Sequence, residues 1–359
     1  MNALEALLQY PLDTPTGDTL PAAGGTLHIA TGVKWIRMAL PFALNHINLW
    51  LLRDTVESQE GWTVVDCCID RVESRTQWEQ IFANELEGLP ILRVIVTHMH
   101  PDHIGLAHWL CERWSTPEHT CRLWISATDF NAARMACQVA AGHGGEAAAA
   151  FVQSHGIENP EFLSMIRERT GYYANLVPRV PSSYVRLMDV MTVKIGGQDW
   201  HCIAGYGHAP EHIALHCPAL NLLIAGDMIL PRISTNVSVY DLEPEANPLK
   251  LFLDSIAKMK ALPDETLILP SHGKPFIGLH ERIRQLEAHH AERLAEVIEA
   301  CAKTAQTAHD IVAIMFKRAL DLHQLTFAQG EALAHLHKLW FEGRLKREKK
   351  NGVYRFSAV

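Results

Sequence analysis

Residues 97–105 read Thr-His-Met-His-Pro-Asp-His-Ile-Gly, directly after the apolar run 91–96. Three histidines and one aspartate fall within six positions. Neutral imidazole and carboxylate are the usual nitrogen and oxygen ligands of zinc and similar divalent ions. A loop leaving a strand end lets close sequence neighbours aim at one point, so the spacing predicts a loop over 97–105, with Pro101 and Gly105 suited to it. Three further clusters repeat the pattern. Gly-His-Ala-Pro-Glu-His places His208 and His212 after the strand-like run 199–204, Asp227 ends the apolar run 222–226, and His272 follows the run 266–271. A fold satisfying all four must end these strands at one edge of its sheets.

Composition is compatible with such a fold. The chain has 359 residues, 48% of them hydrophobic and 20% charged, which excludes a disordered chain. A net charge of -8 gives no global sign of nucleic-acid binding. The 8 cysteines form no Cys-x-x-Cys pair and are expected to be reduced core residues. The first residues lack a basic segment followed by an apolar one, and no apolar run reaches the ~18 residues that span a bilayer. A cytoplasmic protein that does not meet a membrane is therefore expected.

Along the chain, residues 33–41, 46–54 and 62–67 are rich in β-branched and aromatic residues and predict strands. A helix is expected over 77–86, and buried strands over 91–97 and 122–126. The alanine-rich stretch 128–175 reads as helices broken by Gly-His-Gly-Gly, and 177–184 as a loop. Strands resume at 191–197, 199–204, 212–217, 220–227 and 266–271, with a helix over 248–262. A long amphipathic helix begins at 280. The end of the chain reads as a helical module closed by a β-hairpin at Asn351-Gly352. The class expected is α/β with an appended module.

The motifs His-x-His-x-Asp-His, Gly-His-x-Pro-x-His, Gly-Asp and the late Ser-His-Gly together resemble the metallo-β-lactamase superfamily of hydrolases, over residues 25–280. The resemblance implies an αββα sandwich with a two-metal site at one edge. It assigns His98, His100 and His208 to one ion, Asp102, His103 and His272 to the other, and Asp227 to both. It places 1–280 in the hydrolase domain, with 128–175 a helical cap insert. The all-His/Asp ligand set is similar to that of glyoxalase II. Two departures stand out: Asp66-Cys67-Cys68 replaces the family's frequent Asp-Thr-Gly, and the context of His272 lacks the features of a dedicated glutathione site. His212 is left open between orienting a ligand and an ordinary hydrogen bond. His46, His143, His155, His289 and His290 lie outside the motifs and are read as non-ligands.

Residues 281–359 resemble the C-terminal winged-helix-like domain of the β-lactamase-like protein 2 subgroup. With two divalent ions, zinc by default and iron or manganese as options, the expected chemistry is attack of a metal-bridged hydroxide on an acyl carbonyl, with Asp102 orienting it. The cap favours a small or medium acyl substrate over a long polymer, with Tyr172 and Tyr173 as candidate pocket residues. A thioester is preferred; cleavage of single-stranded RNA or DNA, and lactone or ester hydrolysis, are the alternatives. The basic residues Lys338, Arg344, Lys346, Arg347, Lys349, Lys350 and Arg355 offer a nucleic-acid surface, but packing on the core or a partner subunit is the favoured reading. A homodimer through the long helix or the tail is a further expectation.

Overall fold

The computed structural model describes residues 4–13, 19–138 and 144–359; His143 lies outside them. The first half of the chain builds a seven-stranded sheet in sequential order. Its strands are β1 (Leu27–Ala30), β2 (Val33–Ala39), β3 (His46–Val56), β4 (Gln59–Val65), β5 (Ile91–Ile95), β6 (Arg122–Ser126) and β7 (Tyr184–Leu187). β1 to β4 pair antiparallel, and β4 to β7 pair parallel. Parallel neighbours need crossover segments. α1 (Val72–Asn84) supplies the first, then α2 (Pro101–Ile104) with α3 (Ala107–Trp114). The last crossover holds α4 (Ala127–Ala136), α5 (Gly145–Ser154), α6 (Pro160–Glu168) and α7 (Tyr172–Leu176).

The second sheet has five strands in the order β12-β11-β10-β9-β8. These are β8 (Thr192–Ile195), β9 (Gln198–Gly205), β10 (His212–Cys217), β11 (Leu222–Gly226) and β12 (Leu267–Pro270), the last reached through α8 (Pro248–Lys258). There follow α9 (Leu279–Lys303), α10 (Ala308–Met315), α11 (Leu322–Phe341) and a hairpin of β13 (Leu345–Lys350) and β14 (Val353–Ala358).

Three apolar clusters define the layers. Trp35, Trp50, Val65 and Ile95 of the first sheet meet Trp200, Ile213 and Ile224 of the second. The outer face of the first sheet packs Trp78, Leu110 and Phe130 from its helices. The outer face of the second packs Phe252, Ile283, Leu333 and Leu336. The architecture is thus helix, sheet, sheet, helix: an α/β sandwich of the expected kind, with a C-terminal helical region that shares a core with the second sheet.

The structure differs from expectation in particular places. Pro101 opens a one-turn helix, α2, where a loop is expected; its ring presets the first helical φ and the lost N–H needs no partner there. β7 begins at Tyr184, the last residue of the expected loop, and runs to Leu187 where no strand is expected; only one of its four residues is buried, and such a sparse apolar pattern carries little strand signal. The predicted tail turn is present, with Asn351 and Gly352 both at positive φ (51° and 83°). All eight cysteines are unbridged. Among the described residues, no helix is long and apolar enough to cross a membrane.

Candidate metal centre

The four motifs converge at one edge of the two sheets. After β5 the chain turns through 97–100, delivering His98 and His100, and α2 then presents Asp102 and His103. His103 and Ile104 N–H both donate to the His100 carbonyl, which ties the turn to the helix (2.9 and 3.1 Å). On the second sheet, His208 follows Gly207, whose φ is +97°. A Cβ at Gly207 would lie 2.2 Å from the Pro248 carbonyl oxygen, so α8 packs there only against glycine. Asp227 directly follows β11, and His272 follows β12.

The donor atoms fall into two groups sharing one carboxylate. His98 Nε2 lies 3.0 Å from His100 Nδ1 and 3.2 Å from His208 Nε2. His272 Nε2 lies 3.4 Å from Asp102 Oδ2, and His103 Nε2 lies 3.7 Å from the same oxygen. Asp227 stands between the groups. Its Oδ2 is 3.3 Å from His208 Nε2, and its Oδ1 is 3.4 Å from His272 Nε2 and 3.6 Å from His103 Nε2. Three overlapping triads hold their donors within 4.8 Å of one another: His98-His100-His208, His98-His103-Asp227 and Asp102-His103-His272.

These residues suit divalent ions. His103 Nε2 and Asp227 Oδ1 are buried without a hydrogen-bond partner among the described residues. Buried polar atoms are seldom left so, and cations would satisfy both. Burial, then the neighbouring imidazoles, holds His98 and His100 well below the usual histidine range, in the neutral form that ligates. Burial also works against charge on His103, but Asp66, Asp102 and Asp227 outweigh it and raise the ring to about 9. The site therefore concentrates negative charge that a cation would replace protons to neutralise.

A supporting layer fixes each ring. Asp66 Oδ2 accepts from His103 Nδ1 at 2.8 Å, and the same carboxylate accepts from Thr97 N and Oγ1. His208 Nδ1 donates to the Asn236 carbonyl and His272 Nδ1 to the His46 carbonyl, both at 2.7 Å. Each of these contacts turns Nε2 toward the centre. His46, outside the motifs, also accepts Gly273 N–H on its ring at 2.8 Å; burial, then Arg37, takes the ring down to about 3. His212 Nε2 accepts from Asp227 N–H at 3.2 Å, so it braces the shared carboxylate's backbone. Asp129, from α4, accepts from Met99 N–H (2.7 Å) and Glu211 N–H (2.6 Å) and joins two donor loops. Sequence reasoning missed Asp66, Thr97, His46 and Asp129. The one available signal was Ser126-x-x-Asp129, a helix-start pattern in which Ser126 Oγ accepts from Asp129 N–H.

The centre opens into a cleft of about 890 Å³. Phe42, Tyr172, Leu176, Phe316, Leu320 and Phe327 line it, with Arg169, Arg318 and Glu331. Among the described residues of the alanine-rich stretch, only Arg169 and Tyr172 line this cleft, whereas α11 and the connection that leads into it from α10 form much of its wall. Tyr172 lines it; Tyr173 is buried and donates its hydroxyl to the Met99 carbonyl at 2.5 Å. His155, His289 and His290 lie away from the donors, and His290 Nδ1 is 3.2 Å from His335 Nε2.

A histidine-aspartate centre shared by two sheets at one edge of an αββα sandwich defines a metal-dependent hydrolase class. The metallo-beta-lactamase superfamily model matches residues 44–272, and the model for the metallo-beta-lactamase-like C-terminal domain matches 294–359. The chain belongs to the metallo-β-lactamase superfamily. It is similar to the Bacillus subtilis (strain 168) protein named Probable metallo-hydrolase YqjP, at 23% identity over 311 residues, 85% of this chain and 91% of that one. A crystal structure of a beta-lactamase domain protein from Burkholderia ambifaria aligns over all of both chains, with 52% identity and a TM-score of 0.92. That of a metallo-beta-lactamase family protein from Thermus thermophilus aligns over 92% of this chain and 99% of its own, with 26% identity and a TM-score of 0.71.

Proposed function

We propose that this metallo-hydrolase uses two divalent ions, zinc by default, to hydrolyse an acyl substrate, preferably a thioester. The observation that carries the reading is the division of Asp227, with Oδ2 toward His208 and Oδ1 toward His103 and His272. His98, His100 and His208 would hold one ion, Asp102, His103 and His272 the other, and Asp227 both. When bound, such a pair supplies deprotonated water near neutral pH and stabilises charge developing on the scissile group. Asp102 Oδ2, facing both His103 and His272, is placed to accept a hydrogen bond from the attacking water and orient it. The side chains of Phe42, Tyr172 and Phe327 would hold the acyl chain and keep bulk water out.

The cleft walls favour a compact substrate over a polymer. Arg347 of the basic hairpin pairs with Glu245 at 2.9 Å and lies over the Trp340 ring, Lys346 pairs with Glu348 at 3.5 Å, and Lys338 pairs with Glu342. Such pairing supports a packing role for the hairpin over a nucleic-acid surface. The succession of α10, α11 and the β13–β14 hairpin supports the winged-helix-like reading of residues 281–359, with 1–280 as the hydrolase domain. A cytoplasmic setting fits the unbridged cysteines.

The test is thiol release from a panel of acyl-coenzyme A and S-acyl-glutathione esters by metal-replete protein, with His98→Ala as the blank. Release well above the blank is expected. No release with metal confirmed bound would discard the thioester reading and bring lactones and single-stranded RNA forward.

A further inference from the structure

The acidic side chains lining the metal cleft are not equivalent. Asp102 and Asp227 face the histidine donors. Asp321 caps α11, its Oδ1 accepting from Gln324 N–H at 2.8 Å. Glu331 remains. It sits on α11, partly open to the cleft and otherwise enclosed by protein, and lines the same space as His100, Asp102 and His208. Its carboxyl hydrogen-bonds the Asn236 side chain. Asn236 Oδ1 accepts from Ser238 Oγ at 2.8 Å, and the bond to Glu331 favours its charged form, so the Asn236 amide N–H is the donor and the carboxylate accepts. The Asn236 carbonyl in turn accepts from ligand candidate His208 at 2.7 Å. A carboxyl of the C-terminal region is thereby anchored beside one half of the centre.

We infer that Glu331 is the proton donor of the cleft, delivering a proton to the leaving atom of the scissile acyl group. The inference rests on the hydrolase reading above. In the step, the oxygen of water forms the new bond to the acyl carbon. The bond from that carbon to the leaving heteroatom breaks, and its electron pair stays on the heteroatom. Glu331 gives that atom its proton, and the proton released by the attacking water restores the carboxyl. The products are a carboxylic acid and a neutral thiol or alcohol.

The surroundings of Glu331 suit a proton carried near neutrality. Burial raises the carboxyl to about 7, and Arg293 from α9 and the Asn236 hydrogen bond offset this only in part. Tyr240 faces it from the 236–240 segment, and burial keeps that phenol protonated, at about 12. On its own helix, His335 donates to the Glu331 backbone carbonyl at 2.8 Å. Arg169, Tyr172, Arg318, Asp102 and Asp227 line the same cleft.

The competing role is structural, with Glu331 holding Asn236 and hence His208. Glu331→Gln separates the two, because the amide oxygen still accepts from Asn236 but carries no titratable proton. Metal-replete wild type, Glu331→Gln and Glu331→Ala are assayed on esters of one acid with graded leaving groups, from nitrophenol to simple alcohols and thiols. A proton donor predicts that Glu331→Gln keeps its metal content but loses kcat on the alkyl ester roughly 10²-fold more than on the nitrophenyl ester. It also predicts loss of the alkaline limb of kcat/KM that wild type should show. Independently of turnover, one component of the protonated-carboxyl infrared C=O stretch should titrate in metal-free wild type and be missing from Glu331→Gln, while that of buried Asp129 remains. If wild type hydrolyses the panel and Glu331→Gln matches it across all leaving groups, this assignment alone falls. If wild type hydrolyses nothing, the acyl-hydrolase reading falls and takes the assignment with it.

Discussion

The ring of His212 occupies the space a side chain at Gly226 would need. A Cβ built on Gly226 would stand 2.0 Å from His212 Nε2, and Gly226 holds φ at +54°. The same nitrogen accepts from Asp227 N–H. Gly226→Ala must therefore displace either the ring or the backbone that carries the shared carboxylate. We expect it to cost at least about 2 kcal/mol in unfolding free energy from strain and overpacking. Metal content should fall with it. Thermal unfolding and elemental analysis read the two effects, and wild-type values for both would refute the account.

Asp66 accepts from His103 Nδ1 while both are almost fully buried. Asp66→Asn keeps the volume but offers His103 a weaker, neutral partner and allows the wrong tautomer. Metal affinity should drop about 10- to 100-fold, the usual effect of losing such an outer partner. A competition titration with a chromophoric chelator measures it, and circular dichroism confirms the fold.

Two ions per chain are expected at saturation, and Asp227→Ala should hold at most one. A ligand present at a thousand times its dissociation constant adds about 4.1 kcal/mol to a fold that alone binds it. Chelator treatment should accordingly lower the melting temperature of wild type more than that of Asp227→Ala. A wild-type stoichiometry of one would remove the dinuclear reading.

Away from the centre, Arg93 and Asp54 form a buried pair, Nη2 to Oδ2 at 2.7 Å, with Thr63 and Gly196 also bonding the carboxylate. Arg93→Leu strands that charge between β3, β5 and β8. A loss of about 3–5 kcal/mol is expected, and a double Asp54→Leu, Arg93→Leu variant should recover a substantial part of it. Urea unfolding of the four proteins completes the cycle; additive losses would show that the pair is not coupled.

Acid should weaken the metal-free protein through its buried histidines. Burial takes His155 from an ordinary 6.5 down to about 4, and His335 likewise to about 4. Between those values the unfolded chain binds more protons than the folded one, so stability falls as pH drops from 6.5 toward 4 and is complete above 6.5. His155 is nearly inaccessible and bonds the Phe151 carbonyl at 2.8 Å. Replacing it by Gln should flatten the decline measured by urea unfolding at about pH 7.5, 6 and 5. An unchanged slope would count against this assignment.

The strands that lead into the donors were legible for two reasons: β5 and β11 are short apolar runs buried on both faces, and β9 alternates open and buried residues in the period of a strand. The donors were legible for a related reason. They sit directly beyond those runs, so chain direction alone brings His98, His208, Asp227 and His272 to one edge. α2 was not legible, because four residues are too few to show helical periodicity. Asp66 looked like a departure at a loop. Its part in holding His103 depends on a backbone turn at φ +62° and on a partner 37 residues away. Glu331 was invisible for a larger version of the same reason: nothing local to α11 says which face of the helix will close a cleft built by distant segments.

The donors begin at His98, on one sheet, and end at His272, on the other. No nascent chain can assemble the full set until β12 has been synthesised and the two sheets have docked. Such widely separated contacts form late in folding. Full occupancy of the centre would therefore report that the sandwich is complete, with ion uptake acting as a seal on finished molecules rather than a seed for unfinished ones.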